Sequence, residues 1–125
     1  MDTTTSARDL IDLLASLGDE NRLRILVLLD RHELTVSELE AVLQLPQSTV
    51  SRHLKVLAGD EWIRSRQDGT SRFYRMSTAL DADAGELWAV SRRAVGDAVW
   101  LEEDAERARA VIARRRSRSE EFFSE

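Results

Sequence analysis

The stretch ELTVSELEAVLQLPQSTVSRHLKVLAG, residues 33–59, constrains the fold of this chain more than any other. Thr35 is followed three residues later by Glu38, the signature of a capping box, which predicts a short helix over 36–43. Pro46 then interrupts the chain: it has no N–H to donate and disfavours helix at Leu45. A second short helix is predicted from about 47 to 58, ending at Gly59. Two short helices joined by a tight break form a helix-turn-helix. Behind it, WIRSRQDGTSRFYRM holds two strand-like runs, 62–67 and 71–76, around Asp68-Gly69. An Asp-Gly pair between such runs is a strong hairpin signal. Helix-turn-helix followed by a hairpin predicts a winged helix, a mainly α fold with one small β-hairpin.

The rest of the chain frames that unit. Leu10, Leu13, Leu14 and Leu17 recur at helical spacing, so 6–17 reads as an amphipathic helix capped by Ser6 and ended by Gly18. Asp19 caps a helix over 20–31, where Leu23, Leu26, Val27 and Leu29 face inward. Leu28 makes this helix apolar almost all round, which predicts central burial. From about 83 to 123 the pattern is helical again, with a break near Gly96-Asp97. Its apolar positions are Leu87, Trp88, Val95, Trp100, Leu101, Val111 and Ile112. The expected organisation is a winged helix-turn-helix over 1–82 and a helical dimerisation segment over 83–125.

Charge is unevenly spread. The 125 residues carry a formal charge of -5, yet residues 46–76 alone carry +3, between segments of -5 and -3. An acidic chain with a basic central segment can still present a local positive surface. The longest apolar run, Ile25 to Leu29, is five residues, against the roughly 20 a membrane span needs. MDTTTSARDL has no signal-peptide pattern. The absence of cysteine excludes disulfides and thiolate metal sites and fits a reducing compartment, so the cytoplasm is the default expectation.

On the second short helix Val50, Leu54 and Leu57 form the inward stripe. Gln47, Ser48, Thr49, Ser51, Arg52 and Lys55 fall outside it, and His53 lies off the stripe near its edge. A major groove about 12 Å wide admits one helix. Its first turns then reach base edges while neighbouring residues touch phosphates. Gln47 suits adenine, Arg52 suits guanine or a phosphate, and the three hydroxyl residues allow close approach. A solvated face would look the same on this helix alone; the hairpin directly behind it favours double-stranded DNA. The hairpin adds Arg64, Arg66, Arg72 and Arg75, suited to phosphates or the minor groove, although a salt-bridged surface ribbon would read similarly. Phe73 and Tyr74 alternate faces, which predicts one in the core and one half-exposed.

At this point the chain resembles the ArsR/SmtB family of bacterial winged-helix repressors. The resemblance covers about residues 10–77 and rests on LGDENRLRIL, LTVSEL, STVSRHLKVL and RSRQDGTSRFYR. It implies a homodimer built through the first and last helices, with Leu10, Leu14, Leu87, Trp88, Trp100 and Val111 as candidate seam residues. It also implies binding to imperfect promoter palindromes, weakened by an effector. The chain departs from the family's thiolate metal sensors. Thr35 and Ser37 stand where those have a Cys-Val-Cys pattern, and a hydroxyl is a poor ligand for soft ions. The family's other metal site lies on the C-terminal helix and needs histidine, but His32 and His53 are the chain's only histidines. Glu102, Glu103, Asp104 and Glu106 read as a charged helix face. No metal and no cofactor are expected.

The segment ERARAVIARRRSRSEEFFSE resembles the connection, in some relatives, to an S-adenosylmethionine-dependent methyltransferase-like domain. The chain would then be an excised N-terminal domain whose small-molecule effector binds outside it, or a short relative that kept the helix. No nucleophile elbow, glycine-rich phosphate loop or zinc motif is present, so no catalytic residues are assigned and no enzyme is expected. The other readings are a winged-helix module for protein contacts and the regulatory part of a methyltransferase.

Overall fold

A computed structural model describes residues 5–123, the backbone alone for 120–123. The elements run α1 (Ala7–Leu17), α2 (Glu20–Arg31), α3 (Val36–Leu43), α4 (Gln47–Gly59), β1 (Ile63–Asp68), β2 (Ser71–Met76), α5 (Ala82–Ala94) and α6 (Val99–Phe123). This is the expected mainly helical winged helix-turn-helix. Its boundaries follow the caps. Ser6 accepts from the Asp9 N–H, Asp19 from Arg22, and Asp81 from Ala84. Thr35 and Glu38 close a reciprocal capping box. Gln44 ends α3 in the left-handed region at φ 57°, and Pro46 then opens α4. At the wing tip Gly69 takes φ 62°, a conformation glycine adopts without a Cβ clash.

The core forms around α2, whose Ile25, Leu26, Val27, Leu28 and Leu29 are all buried, as its all-round apolar sequence predicts. Val50, Leu54 and Leu57 of α4 point into it, and Trp62 at the wing root is fully buried. The hairpin is antiparallel, with Ile63 opposite Met76 and Asp68 opposite Ser71. Leu34, just before α3, adds a one-residue bridge to β2: its N–H donates to the Tyr74 carbonyl at 3.1 Å, and its carbonyl accepts from the Tyr74 N–H at 2.9 Å. The bridge ties the wing to the start of the helix-turn-helix.

Two expected seam residues sit elsewhere. Trp88 and Val111 are buried in the protomer's own core, along with Ala84, Ala105 and Ala108. The small residues of α6 let it lie close against α2 and α3, and Val111 completes that face. Helical spacing shows which residues form a stripe but not whether the stripe meets its own domain or a second copy. Leu87 and Trp100 are half-buried, whereas Leu10 and Leu14 are exposed. Of the segment that resembles a connection to a further domain, the side chains of residues 120–123 and all of Ser124 and Glu125 lie outside the described structure. No helix of the described residues is long and apolar enough to cross a membrane.

Candidate nucleic-acid interface

Pro46 stands at the N-cap of α4. Gln47, Ser48, Ser51, Arg52 and Lys55 are exposed along one edge, and Thr49 is half-buried. Ser51 and Lys55 look across a cleft of about 300 Å³ at Ser65, Arg72 and Tyr74 of the wing; Leu54 and Ala58 form its floor. The pairing of Ser65 with Tyr74 and of Gln67 with Arg72 puts these side chains on one face of the ribbon. Arg72 donates to the Ser65 hydroxyl at 2.9 Å, which aims its guanidinium along the cleft. The result is a concave strip bearing Lys55, Arg72, two serines and a tyrosine. Such a strip can receive a phosphodiester while the first turns of α4 reach base edges.

Arg64 and Arg66 do not join this strip. Arg66 pairs with Phe73 and Arg64 with Arg75 across the ribbon, so both lie on its opposite face. Arg66 is bound to Glu33, Nε to Oε2 at 2.8 Å and the second nitrogen to Oε1 at 3.1 Å. This hydrogen-bonded pair holds the Glu33 carboxyl below its usual range. Arg64 hydrogen-bonds Ser77 and lines an acidic depression of about 590 Å³ with Asp9, Asp12, Asp60, Glu61 and Asp81. The pleat explains the split. A two-fold alternation places 64 and 66 on one face, and the hairpin register places 72 on the other.

His53 is also turned inward. It is buried, with Nδ1 3.3 Å from an Arg22 guanidinium nitrogen and Nε2 3.9 Å from Asp19 Oδ1. Arginine can only donate, so Nδ1 accepts and the ring is neutral in this arrangement. The sequence carried a signal for this: His53 lies three residues after Val50, on the same helical face. Arg22, which sequence reasoning did not single out, positions the reading helix. It donates to the carbonyls of Ser16 at 2.7 Å and Ala15 at 2.9 Å, closing the end of α1, and to His53 on α4. A Ser16–Asp60 hydrogen bond ties the same helices at the other end of α4.

Burial pushes the His53 pKa below its ordinary 6.5; Asp19 pulls it up, and Arg22 and Arg52 push it further down. Burial and neighbouring arginines lower His32 as well. Below about pH 6.5 the unfolded chain therefore binds protons that the folded chain refuses. The stability from neutral His53 is present above that pH and is lost as the pH falls through 6.5 toward the folded value. Urea midpoints at successive pH values should fall over this range, and His53→Gln should flatten the fall. An equal slope in the variant would remove His53 as a cause.

An exposed helix edge, a break before it and a ribbon beside it define a winged helix-turn-helix domain. Comparison with known proteins narrows the class. The family described as "Bacterial regulatory protein, arsR family" matches residues 19–63. The chain is 36% identical over 75 residues to the arsenical resistance operon repressor of Staphylococcus aureus, covering 60% of this chain and 72% of that one. It is 39% identical over 66 residues to the transcriptional activator HlyU of Vibrio cholerae, covering 53% of this chain and 61% of that one. The solved structure of HlyU from Vibrio cholerae superposes with a TM-score of 0.59 at 31% identity, over 71% of this chain and 90% of that one. NolR from Sinorhizobium fredii, at 23% identity and a TM-score of 0.63 over 78% of this chain and all of that one, shares the fold. The chain belongs to the ArsR family of bacterial regulatory proteins, and its class is that of DNA-binding transcriptional regulators.

Proposed function

We propose that this protein is a homodimeric repressor that reads a palindromic promoter site. Two copies pair through α1 and the outer sides of α5 and the start of α6, within the segment after residue 82. The pair presents two α4 helices related by two-fold symmetry, to be received by major grooves about one DNA turn apart. Gln47, Ser48, Thr49, Ser51 and Arg52 face the bases, and Lys55 and Arg72 hold the backbone. The observation that carries this reading is the cleft joining Ser51 and Lys55 to Arg72, because it sets a cationic wing beside an exposed reading edge. His53, Arg64 and Arg66 support the surface from behind.

Response to a soft metal through thiolates is not part of the reading. Thr35 spends its hydroxyl on the Glu38 N–H, and Ser37 stands 3.2 Å from Thr35.

Selection from a random duplex pool tests the proposal. The expected result is an enriched palindrome whose half-sites lie about one turn, roughly 34 Å, apart. Binding to it should fall steeply with salt and weaken about 5- to 150-fold in Arg52→Ala, the worth of one good base contact. Recovery of no enriched sequence, or salt-independent binding, would overturn the reading in favour of a protein-contact module.

A further inference from the structure

The outer face of the wing, turned away from α4, meets Arg115 of the C-terminal helix. Arg115 of α6 donates from Nε to Glu38 Oε2 at 2.8 Å. Its terminal nitrogen donates to Glu38 Oε1 at 2.7 Å and to the Glu33 carbonyl at 3.0 Å. Its guanidinium carbon lies 5.2 Å from the centre of the Phe73 ring of β2. Arg66 approaches the same ring at 5.0 Å and is itself held by the Glu33 carboxylate. One guanidinium of α6 therefore joins three other segments: the lead-in to α3, the first turn of α3, and the wing.

Each contact is of a kind that fixes orientation. A planar fork on a carboxylate locks both partners. Glu38 is further fixed because it closes the capping box at Thr35. A guanidinium against an aromatic ring is attracted to the ring's face, which favours one placement of both groups. The Leu34–Tyr74 bridge pins the backbone of β2, and the guanidinium adds a side-chain hold on the same strand. Beyond its buried root at Trp62, Ile63 and Met76, the first strand is exposed from Arg64 to Asp68. Phe73 precedes Tyr74 and follows Arg72, the two β2 residues that line the cleft. A displacement of Phe73 moves Arg72 with it.

We infer that Arg115 is a positioning residue for DNA binding: from the face away from α4 it clamps β2 at Phe73 and so holds Arg72 in the phosphate cleft. This rests on the reading of Arg72 as a phosphate contact. The clamp also makes the wing answer to α6.

The test uses the full chain and a fluorescent mixed-sequence duplex, with affinity measured across a salt series. One lost phosphate contact lowers the salt slope by about 0.9. Arg72→Ala should show this reduction, and Arg115→Ala should show the same reduction although Arg115 touches no DNA. The double variant should be no worse than either single one. Circular dichroism and sedimentation confirm that the variants remain folded and keep the parent's oligomeric state. Should Arg115→Ala fail to fold, Phe73→Leu keeps the Arg115–Glu38 pair, removes only the ring, and should reproduce the Arg72→Ala slope. Additive losses, or unaltered slopes in Arg115→Ala and Phe73→Leu, would overturn the clamp. An unaltered slope in Arg72→Ala would instead remove the phosphate reading, and the clamp's purpose with it.

Discussion

Arg24→Ala is expected to destabilise the fold by about 3 kcal/mol, the low end of what breaking a buried ion pair costs. The pair joins α2 to α6: Arg24 Nε and its second nitrogen meet the two Asp104 oxygens, each at 2.9 Å. The Asp104 side chain is 4% exposed and that of Arg24 13%. Against a well-packed apolar pair such an arrangement is close to neutral, since desolvation offsets the attraction. Removing one partner is different, because the charge left behind keeps its burial and loses its compensation. Arg107, 2.9 Å from Asp104 Oδ1, remains in Arg24→Ala, which is why the lower end is expected. Asp104→Ala should cost at least as much, because it removes the carboxylate that Arg24 and Arg107 share; the acceptors left to Arg24, Asn21 Oδ1 at 3.1 Å and the Leu43 carbonyl at 3.2 Å, carry no charge. Arg24→Leu combined with Asp104→Leu should recover much of the loss. Urea midpoints of the three variants decide it; a shift below about 1 kcal/mol for Arg24→Ala would fall in the range of surface pairs and count against a buried bridge.

Asp104 also marks where sequence reading stopped. Within Glu102, Glu103, Asp104 and Glu106 nothing local separates one carboxylate from the others, and the group reads as a solvated face. What distinguishes Asp104 is a guanidinium 80 residues away. Long-range pairing of this kind leaves no period in the chain. The same holds for Arg115, which sat in an arginine run with no mark of its partners. Features set by local chemistry were legible instead. Thr35 and Glu38 announced the start of α3, Pro46 the start of α4, and Asp68-Gly69 the wing tip, because each works through its neighbours' backbone. The split of the wing arginines lies between these cases. The Asp68–Ser71 pairing fixes the register, and the register fixes which arginines share a face with Phe73.

The exposed edge of α4 and the core role of α2 followed from helical spacing. The inward turn of His53 was available from the same spacing, since Val50 stands three residues before it. Trp88 and Val111 were not separable from seam residues by spacing, because a stripe against one's own core and a stripe against a second copy have the same period.

Ile11→Glu is expected to abolish pairing of two copies and to lower affinity for a palindromic site by about 10²- to 10⁴-fold, the avidity that a second linked site supplies. Ile11 is 65% exposed on α1, beside Leu10 at 41% and Leu14 at 49%. Val90 of α5, at 55%, and Val99 at the start of α6, at 83%, are exposed as well. Ile11, Val90 and Val99 were missed as candidates because the sequence pattern assigned its seam residues from the inward stripes. An aliphatic stripe of this kind on a single protomer is what a self-complementary interface leaves when one half is viewed alone. Two glutamates placed near each other across such a seam would be desolvated and mutually repulsive. Within one protomer the change is a surface substitution, with an expected stability effect within about 0.5 kcal/mol. That separation makes the experiment decisive. Circular dichroism should be unaltered, sedimentation should shift from dimer to monomer, and fluorescence polarisation on a two-half-site duplex should show the large loss, while binding to one half-site stays near that of the parent chain. A variant that still sediments as a dimer, or that binds the two-half-site duplex as tightly as the parent, would place the seam elsewhere than α1.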